Sequence, residues 1–422
     1  MQQQGQDEPA TARRPEPGGG TATSPQVLRR ANAHVILELM RGRAPGEAVT
    51  SNDLVAATSL TRATVLGVCD DLVEQGWLAE EGPDPAGAGS RGRPARRFRF
   101  RSEAGYVVGI DVGFRHASCL VADLHGRPVA RRRVRFGAAS TRSDARIRQL
   151  RTLVDETLLA AGVQDEAVLA ACFGVAAPVD GRGGSPADDG FWETVRIEPA
   201  EILAAHAGWD CLIENDANLA ALAERPSDDP EACYVVLLAA ERFGAGIVDG
   251  GRLLHGHRGG SGEMQYLTLV EGVGSPDALA LLARTWAAEA LAGGARSVLA
   301  EAPTDDGAPS AEAVLAAAEA GDPLALAIAD RLADRLARVV ATLASLVNPE
   351  VVVLGGSVAP ALGPVLRDID ARIAAHTLVP PRVFASEHGG DIVLVGAVQA
   401  ALEHVAGRAV DLRLPRATTS GG

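Results

Sequence analysis

The stretch Thr50–Arg101 constrains this chain more than any other, because it reads as two short helices with a tight break, followed by an arginine-rich strand. In TSNDLVAATSLTRATVLGVCDDLVEQGWLAEEG, Asn52 is placed to cap the first helix, and Leu54, Val55 and Leu60 are its expected core residues. Thr61 stands where the second helix needs an N-cap, and Val65, Val68, Leu72 and Val73 recur at helical spacing. Gly76 is the expected helix stop. Trp77-Leu78 then starts a strand, and its expected partner alternates Phe98 and Phe100 with Arg97, Arg99 and Arg101. This order predicts a winged helix-turn-helix that contacts double-stranded DNA. Thr61, Arg62 and Thr64 stand at the N-terminal end of its recognition helix.

Between the two strands lies GPDPAGAGSRGRPAR, too polar and too rich in Gly and Pro to be core. From Arg91 to Arg101 there are six arginines and no acid. DNA carries one negative charge per roughly 1.7 Å of axis, so such a strip gains affinity by releasing counterions. Arg91-Gly92-Arg93-Pro94 is slim enough to enter a narrow minor groove, where arginine is favoured. Leu66 and Gly67 weaken the second helix as a phosphate binder, so Arg91, Arg93 and Arg96 are expected to supply much of the affinity. The competing reading is a solvated charge run in a linker; its place behind a helix-turn-helix favours DNA.

The net charge of −14 argues against nucleic acid only as an average. Residues 1–101 hold 13 arginines against 12 acids, and residues 102–422 hold 27 against 42. The acidic body repels phosphate and leaves the N-terminal unit as the DNA contact. All 40 basic residues are arginine, a coding bias without functional weight. Five scattered cysteines with no CxxC pair fit a reducing cytoplasm. No long apolar run predicts a membrane span, and the N-terminus lacks the apolar core of a signal peptide.

At 422 residues the chain has room for two or three domains. Residues 1–24 read as a disordered tail and 25–101 as the winged unit. Residues 102–410 read as the body, and 411–422 as a second tail. Ser24-Pro25 opens a helix to about Met40, with Val27, Ala31, Val35 and Leu39 on one face. Three strands follow. The first ends at Asp111-Val112-Gly113, the second runs through Cys119 to Asp123, and the third runs from Val129 to Val134. Next come a helix from Ser143 to Ala160 and the strand in VLAACFGVAAPVD. A strand enters a helix at Asn215-Asp216, two strands flank a Gly turn after Tyr234, and a long helix runs to Leu346. The strand and diglycine turn of NPEVVVLGGSV come next.

The segments IENDANLAALAE, GAGIVDGGRLLHGHRGGSGE and VVVLGGSV, in that order, resemble the ROK family of repressors, open reading frames and sugar kinases. The likeness runs from Pro25 to about Val405, and the N-terminal unit resembles the repressor branch. It implies an α/β fold: a winged helix-turn-helix followed by a two-lobed actin-like and hexokinase-like (ribonuclease H-like) body around a sugar cleft, with the two lobes of residues 102–410 dividing near 220. In the family's kinases the Asp of Glu-Asn-Asp-Ala is the general base, which maps to Asp216, and Asn215 would bind a neighbouring hydroxyl. Both residues also suit a plain helix cap. Glu263 is a further sugar contact implied by the resemblance.

The departures from the kinase pattern are local. The first phosphate loop, Asp-x-Gly-Gly-Thr-Lys in the kinases, reads Asp111-Val112-Gly113-Phe114-Arg115-His116. The second, Gly-Thr-Gly-x-Gly, reads Ala240-Glu241-Arg242-Phe243-Gly244, with Glu241 placed against ATP phosphates. Gly355-Gly356 survives. The family's zinc motif puts His where Tyr266 stands, and no cysteine follows Cys233, so neither zinc nor ATP is expected as a cofactor. His255 and His257 read as surface loop residues. The expectation is a cytoplasmic, non-catalytic transcriptional regulator, a homodimer or tetramer, answering to a sugar or sugar derivative. The alternative is an active ATP-dependent sugar kinase with a DNA-binding appendage.

Overall fold

A computed structural model of the chain describes residues 25–82, 95–136, 143–180, 199–206, 208–226, 229, 231–305 and 307–414. The expected N-terminal tail, the Ser24 cap, Arg91 and Arg93 lie outside the described residues.

Helix α1 (Pro25–Arg41) buries Ala33, Ile36, Leu37 and Met40. The expected face is the wrong one: Val27 and Val35 are exposed, at 52% and 45%. Both stripes have helical spacing, and the larger side chains Ile36, Leu37 and Met40 win the contact with the rest of the protein. Helix α2 (Ser51–Thr58) is capped by Thr50, not Asn52. The Asp53 amide donates to Thr50 Oγ1 at 3.2 Å and the Thr50 amide returns the bond to Asp53 at 3.2 Å, a capping box. Ser59 takes a left-handed conformation at φ 56°, which breaks the chain before Thr61. Helix α3 (Arg62–Glu74) begins with Thr61 accepting from the Thr64 amide at 3.2 Å. It buries Val65, Val68, Cys69 and Leu72. It ends at Gly76, whose φ of +88° favours glycine.

Three short strands complete this unit: β1 (Ala48–Thr50), β2 (Leu78–Glu81) and β3 (Arg97–Phe100), antiparallel in the order β1-β3-β2. The alternation read from the sequence holds, with Phe98 and Phe100 buried and Arg97 and Arg99 on the other face. Strand β1 was not anticipated, being only three residues long.

The body contains two five-stranded sheets. In the first, β4 (Tyr106–Val112), β5 (His116–Asp123) and β6 (Pro128–Arg135) form an antiparallel meander. Strands β7 (Val168–Val175) and β8 (Asp210–Asn215) lie parallel to β4, giving the order β6-β5-β4-β7-β8. The second sheet is built from β9 (Tyr234–Leu238), β10 (Gly244–Asp249), β11 (Arg252–Leu253), β12 (Val351–Gly355) and β13 (Arg382–Ala385). Helix α4 (Ser143–Ala161) covers β5 and β6. The long amphipathic helix α5 (Pro323–Val347) is buried along one face in the second core cluster. No helix among the described residues is long and apolar enough to cross a membrane.

Two further helices position the cleft. Helix α6 (Asp216–Ala223) follows β8 directly, and helix α7 (Ile392–Gly407) returns the chain to the first sheet, against β4 and β7. Helix α6 is clasped between glycines on both sides. A Cβ on Gly246 of β10 would overlap the Ala217 carbonyl, and one on Gly396 of α7 would overlap the Leu219 carbonyl. Only hydrogen side chains allow this approach, and it fixes where Asp216 stands.

The expected tail at 411–422 is packed as far as Leu414. The Trp77 indole N–H donates to the Ala409 carbonyl at 2.9 Å, and the Leu414 amide donates to the Gln75 carbonyl at 2.8 Å. Leu414 is only 5% exposed. Leu412 and Leu414 are apolar and reach the core of the N-terminal unit, so these residues are held rather than loose.

Candidate functional site

A cleft of about 690 Å³ opens where the ends of the two sheets meet. Asn215, Asp216 and Glu263 line it together, beside Asp111, His116, Gly356 and the first residues of α7. Asn215 is the N-cap of α6: its Oδ1 accepts from the Asn218 amide at 3.1 Å and its Nδ2 donates to the Ala177 carbonyl at 3.1 Å. Asp216 Oδ1 accepts from the Ala217 amide at 2.8 Å. Burial pushes its carboxyl up to about 8, helped by the negative charges of Asp111 and Glu263 and opposed by the Ala217 N–H. Burial likewise raises Glu263 to about 7, against the pull of Arg242. Near neutral pH these acids are partly protonated, so each can donate as well as accept a hydrogen bond to a hydroxyl.

The sequence reading missed the brace behind this turn. Glu214 accepts from the Asn215 amide at 2.8 Å and from Asn218 Nδ2 at 2.9 Å, and its other oxygen meets His255 Nε2 at 2.7 Å. His255 is therefore part of the site's support and not a free surface residue. His257 is exposed, as expected.

Both altered loops open into the same cleft. Arg146 grips the first, donating to the Gly113 carbonyl at 2.5 Å and the Phe114 carbonyl at 3.3 Å while stacking on Phe136 at 4.0 Å. Phe114 itself is 44% exposed. In the second loop Glu241 is not an isolated negative charge. Arg284 donates to it at 2.8 and 2.9 Å, and Arg115 stands 3.7 Å away. Arg133 and Arg135, on alternate positions of the edge strand β6, also line the cleft. The sequence does carry that signal, since Arg131, Arg133 and Arg135 share one strand face.

Tyr266, at the family's zinc-histidine position, is 69% exposed. Among the described residues, no group of three or more His, Cys, Asp or Glu side chains is arranged to hold a metal ion. The side chains present there do not fit zinc, which needs about four N or S ligands.

At the N-terminal unit, Thr61, Arg62 and Thr64 lie on the exposed first turn of α3. Arg62 Nη1 donates to Asn52 Oδ1 at 2.8 Å, joining α2 and α3. Arg96 stands differently from the expectation of a free phosphate contact. It pairs with Glu80 at 2.6 Å and Asp70 at 2.7 Å and lies over the Phe98 ring. Its charge is compensated by two carboxylates that no sequence spacing brings near it. Arg99 pairs with Glu81 at 3.2 Å, and buried Arg101 donates to the Gly76 carbonyl at 2.7 Å. Half of the six-arginine strip is thus structural.

The model of the ROK family matches residues 107–404. A glucokinase from Halalkalibacterium halodurans is 31% identical over 188 residues, 41% of this chain and 56% of that protein. A putative xylose repressor from Caldicellulosiruptor sp. is 24% identical over 216 residues, 50% of this chain and 52% of that protein. The bifunctional enzyme NanE/NanK of Brucella suis is 30% identical over 304 residues, 70% of this chain and 53% of that protein. The chain thus spans about half the length of these curated relatives. Among solved structures, a ROK family transcriptional regulator, a homologue of the E. coli MLC protein, superposes with a TM-score of 0.70 at 21% identity, covering 91% of this chain and 100% of that one. A ROK family glucokinase from Streptomyces griseus, in complex with glucose and AMPPNP, gives 0.57 at 24% identity, covering 70% of this chain and 99% of that one. These two likenesses establish the fold.

Proposed function

The chain belongs to the ROK family, and on that footing we propose that it is a sugar-responsive, DNA-binding transcriptional regulator, most simply a repressor, with a non-catalytic cleft. One observation carries the reading. Helix α7 lines the cleft with Ile392 and Val393 at its start, and the residues just beyond its end hold Trp77 and Gln75 of the N-terminal unit. One helix and the segment that follows it therefore join the cleft to the N-terminal unit, a link that phosphoryl transfer does not need. Such coupling is typically about 1–3 kcal/mol. In this reading residues 25–101 form a winged helix-turn-helix, with Thr61, Arg62 and Thr64 entering the major groove. Arg91 and Arg93 contact phosphate or minor groove, and Arg96 holds the wing in place.

The shape of the two phosphate loops supports a cleft that binds without phosphorylating. Phosphoryl transfer depends on positioned N–H groups and Mg²⁺ around the moving group. Here Phe114 and Arg242 present side chains where the kinases present glycine, and Glu241 stands where they present threonine. A protein of this kind reads a two-fold repeated operator as a homodimer or tetramer in the cytoplasm.

The second reading, an ATP-dependent sugar kinase, draws on Asp216 standing beside Asp111 at the cleft. Footprinting on DNA selected by the full chain, with and without a sugar panel, together with a coupled ATPase assay, separates the two. We expect protection that sugar alters and no turnover. Turnover abolished by Asp216→Ala, without protected DNA, overturns the regulator reading.

A further inference from the structure

Helix α3 carries three acids and one base, an unpromising charge for a surface that is to meet DNA. The fold compensates each acid from a different element. Asp70 pairs with Arg96, just ahead of β3, at 2.7 Å. Asp71 pairs with Arg29 of α1 at 2.7 Å, and Glu74 with Arg413 of the C-terminal segment at 3.4 Å. Arg62, at the exposed start of the helix, is its one basic residue. Arg62 Nη1 donates to Asn52 Oδ1 on the exposed side of α2 at 2.8 Å. That bond uses one of the several N–H donors of the guanidinium and fixes the plane of the rest.

The rest of the outward face is low and apolar. Helical spacing puts Arg62 and Leu66 on one line, with Ala63 and Gly67 beside them. Ala63 and Gly67 are exposed and Leu66 is half-buried, while Val65, Val68, Cys69 and Leu72 fill the opposite, buried face. Gly67 is the informative member. Glycine in the middle of a helix costs stability, and a close neighbour that needs the room usually explains it. Gly246 and Gly396 have such neighbours, the carbonyls of Ala217 and Leu219. A Cβ at Gly67 would meet nothing within 4 Å. Among the described residues, then, no neighbour requires this glycine, and the space it leaves lies on the face that a helix-turn-helix turns toward the major groove.

We propose that α3 reads a duplex half-site with Arg62 on a guanine and with Ala63, Leu66 and Gly67 against thymine methyl groups. Asn52 is the positioning residue that aims Arg62. This rests on the regulator reading and names the base chemistry that the helix selects. Guanine presents two acceptors, O6 and N7, side by side in the major groove, and the arginine fork donates to both. Thymine presents its C5 methyl there, which apolar side chains meet by contact. With no side chain at Gly67, a base edge can come against the helix itself. The three ion pairs keep the acids of α3 from repelling the phosphates on either side.

The test begins with selection of a binding site from random duplex DNA by the full chain. Fluorescence anisotropy then measures affinity for duplexes carrying base analogues. For the wild type, 7-deazaguanine at the selected guanine removes the N7 acceptor and should weaken binding about tenfold. Uracil in place of the selected thymines removes only their methyl groups and should weaken it about threefold. Arg62→Ala should bind the 7-deazaguanine and guanine duplexes equally. Asn52→Ala should lose most of that discrimination, and Asn52→Asp, which keeps an acceptor oxygen, should retain it. Gly67→Ala separates a contact from a merely tolerated glycine. It should raise the melting temperature, because alanine is the better helix former, and yet weaken binding to the selected site at least fivefold. A Gly67→Ala variant that binds as the wild type does, or that melts lower, overturns the proposal. So does a selected half-site without guanine, a wild type indifferent to either analogue, or an Arg62→Ala variant that still discriminates against 7-deazaguanine. Any of these with a selected site in hand leaves the regulator standing and removes this inference alone. Selection that enriches no DNA removes both.

Discussion

Replacing Trp77 by Phe tests whether the C-terminal segment fastens the N-terminal unit to the body. Trp77 is 2% exposed, and its indole N–H donates to the Ala409 carbonyl at 2.9 Å and lies 3.4 Å from the Leu412 carbonyl. Phenylalanine has no donor, so a buried carbonyl loses its partner, at a cost of about 1–3 kcal/mol. The smaller ring leaves part of a core site unfilled. Full truncation of a buried Trp costs about 3–5 kcal/mol, so indole to phenyl adds roughly 1 kcal/mol. The sum is about 2–4 kcal/mol, concentrated where residues 409–414 meet the N-terminal unit. Since every 1.4 kcal/mol is about tenfold, local opening should become roughly 30-fold or more favourable. Hydrogen–deuterium exchange read by mass spectrometry should show this as faster exchange over residues 408–414, including the Leu414 amide bonded to Gln75. Trp209→Phe is the matched control. It removes an indole bond to the Asp165 carbonyl, 3.0 Å long; its neighbour Asp210 pairs with Arg408, so the comparison is read at residues 409–414, which should be unchanged. In the proposed regulator Trp77→Phe also blunts the effect of ligand on DNA affinity while ligand binding persists. Unchanged exchange over 408–414, or an undiminished ligand response, refutes the reasoning.

Asp216→Asn should change the pH dependence of stability. In the folded chain the Asp216 carboxyl is raised from 3.8 to about 8, so it keeps a proton that the unfolded chain has released. Wild-type stability therefore falls as pH rises from about 4 to about 8. The variant should lack that part of the slope, gaining on wild type by about 1–3 kcal/mol once solvent at the cleft is allowed for. Urea melts at pH 5 and pH 8 decide it, and parallel losses in both proteins would count against the assignment. Gly396→Ala places a methyl group against the Leu219 carbonyl and should cost about 1–3 kcal/mol while displacing α6. A thermal melt indistinguishable from wild type contradicts the clasp. Alanine at Arg91 and Arg93 together should flatten the salt slope of DNA binding by about 0.9 per lost phosphate contact. Arg96→Ala should instead lower stability, because it leaves Glu80 and Asp70 unpartnered. A salt titration with unchanged slope for the double variant removes the wing from the proposed contact.

Local pattern made much of the architecture legible in the sequence. Alternation placed Phe98 and Phe100 inward. Thr61 declared itself as a cap by its position before a helical repeat. Asp111 and Asn215-Asp216 were identifiable as strand ends because apolar runs stop there. These features depend on residues a few positions apart, and the same short-range physics acts in any context. The face of α1 did not yield to that reasoning, because two stripes satisfy one helical period and only the surface packed against them selects Ile36 and Leu37 over Val27 and Val35. Arg96 looked like a free cation because Glu80 and Asp70 come to it from two other elements. His255 looked like a loop residue because Glu214 stands 41 positions away. The arginines that line the cleft, and the fastening of Leu414 to Gln75, likewise join segments far apart in sequence. Sequence alone determined many of the longer elements and, at Thr61 and Asn215, where their polar ends fall. The tertiary structure decided which charges are compensated and which face the cleft, because those energies arise between groups that only folding brings within a few ångströms.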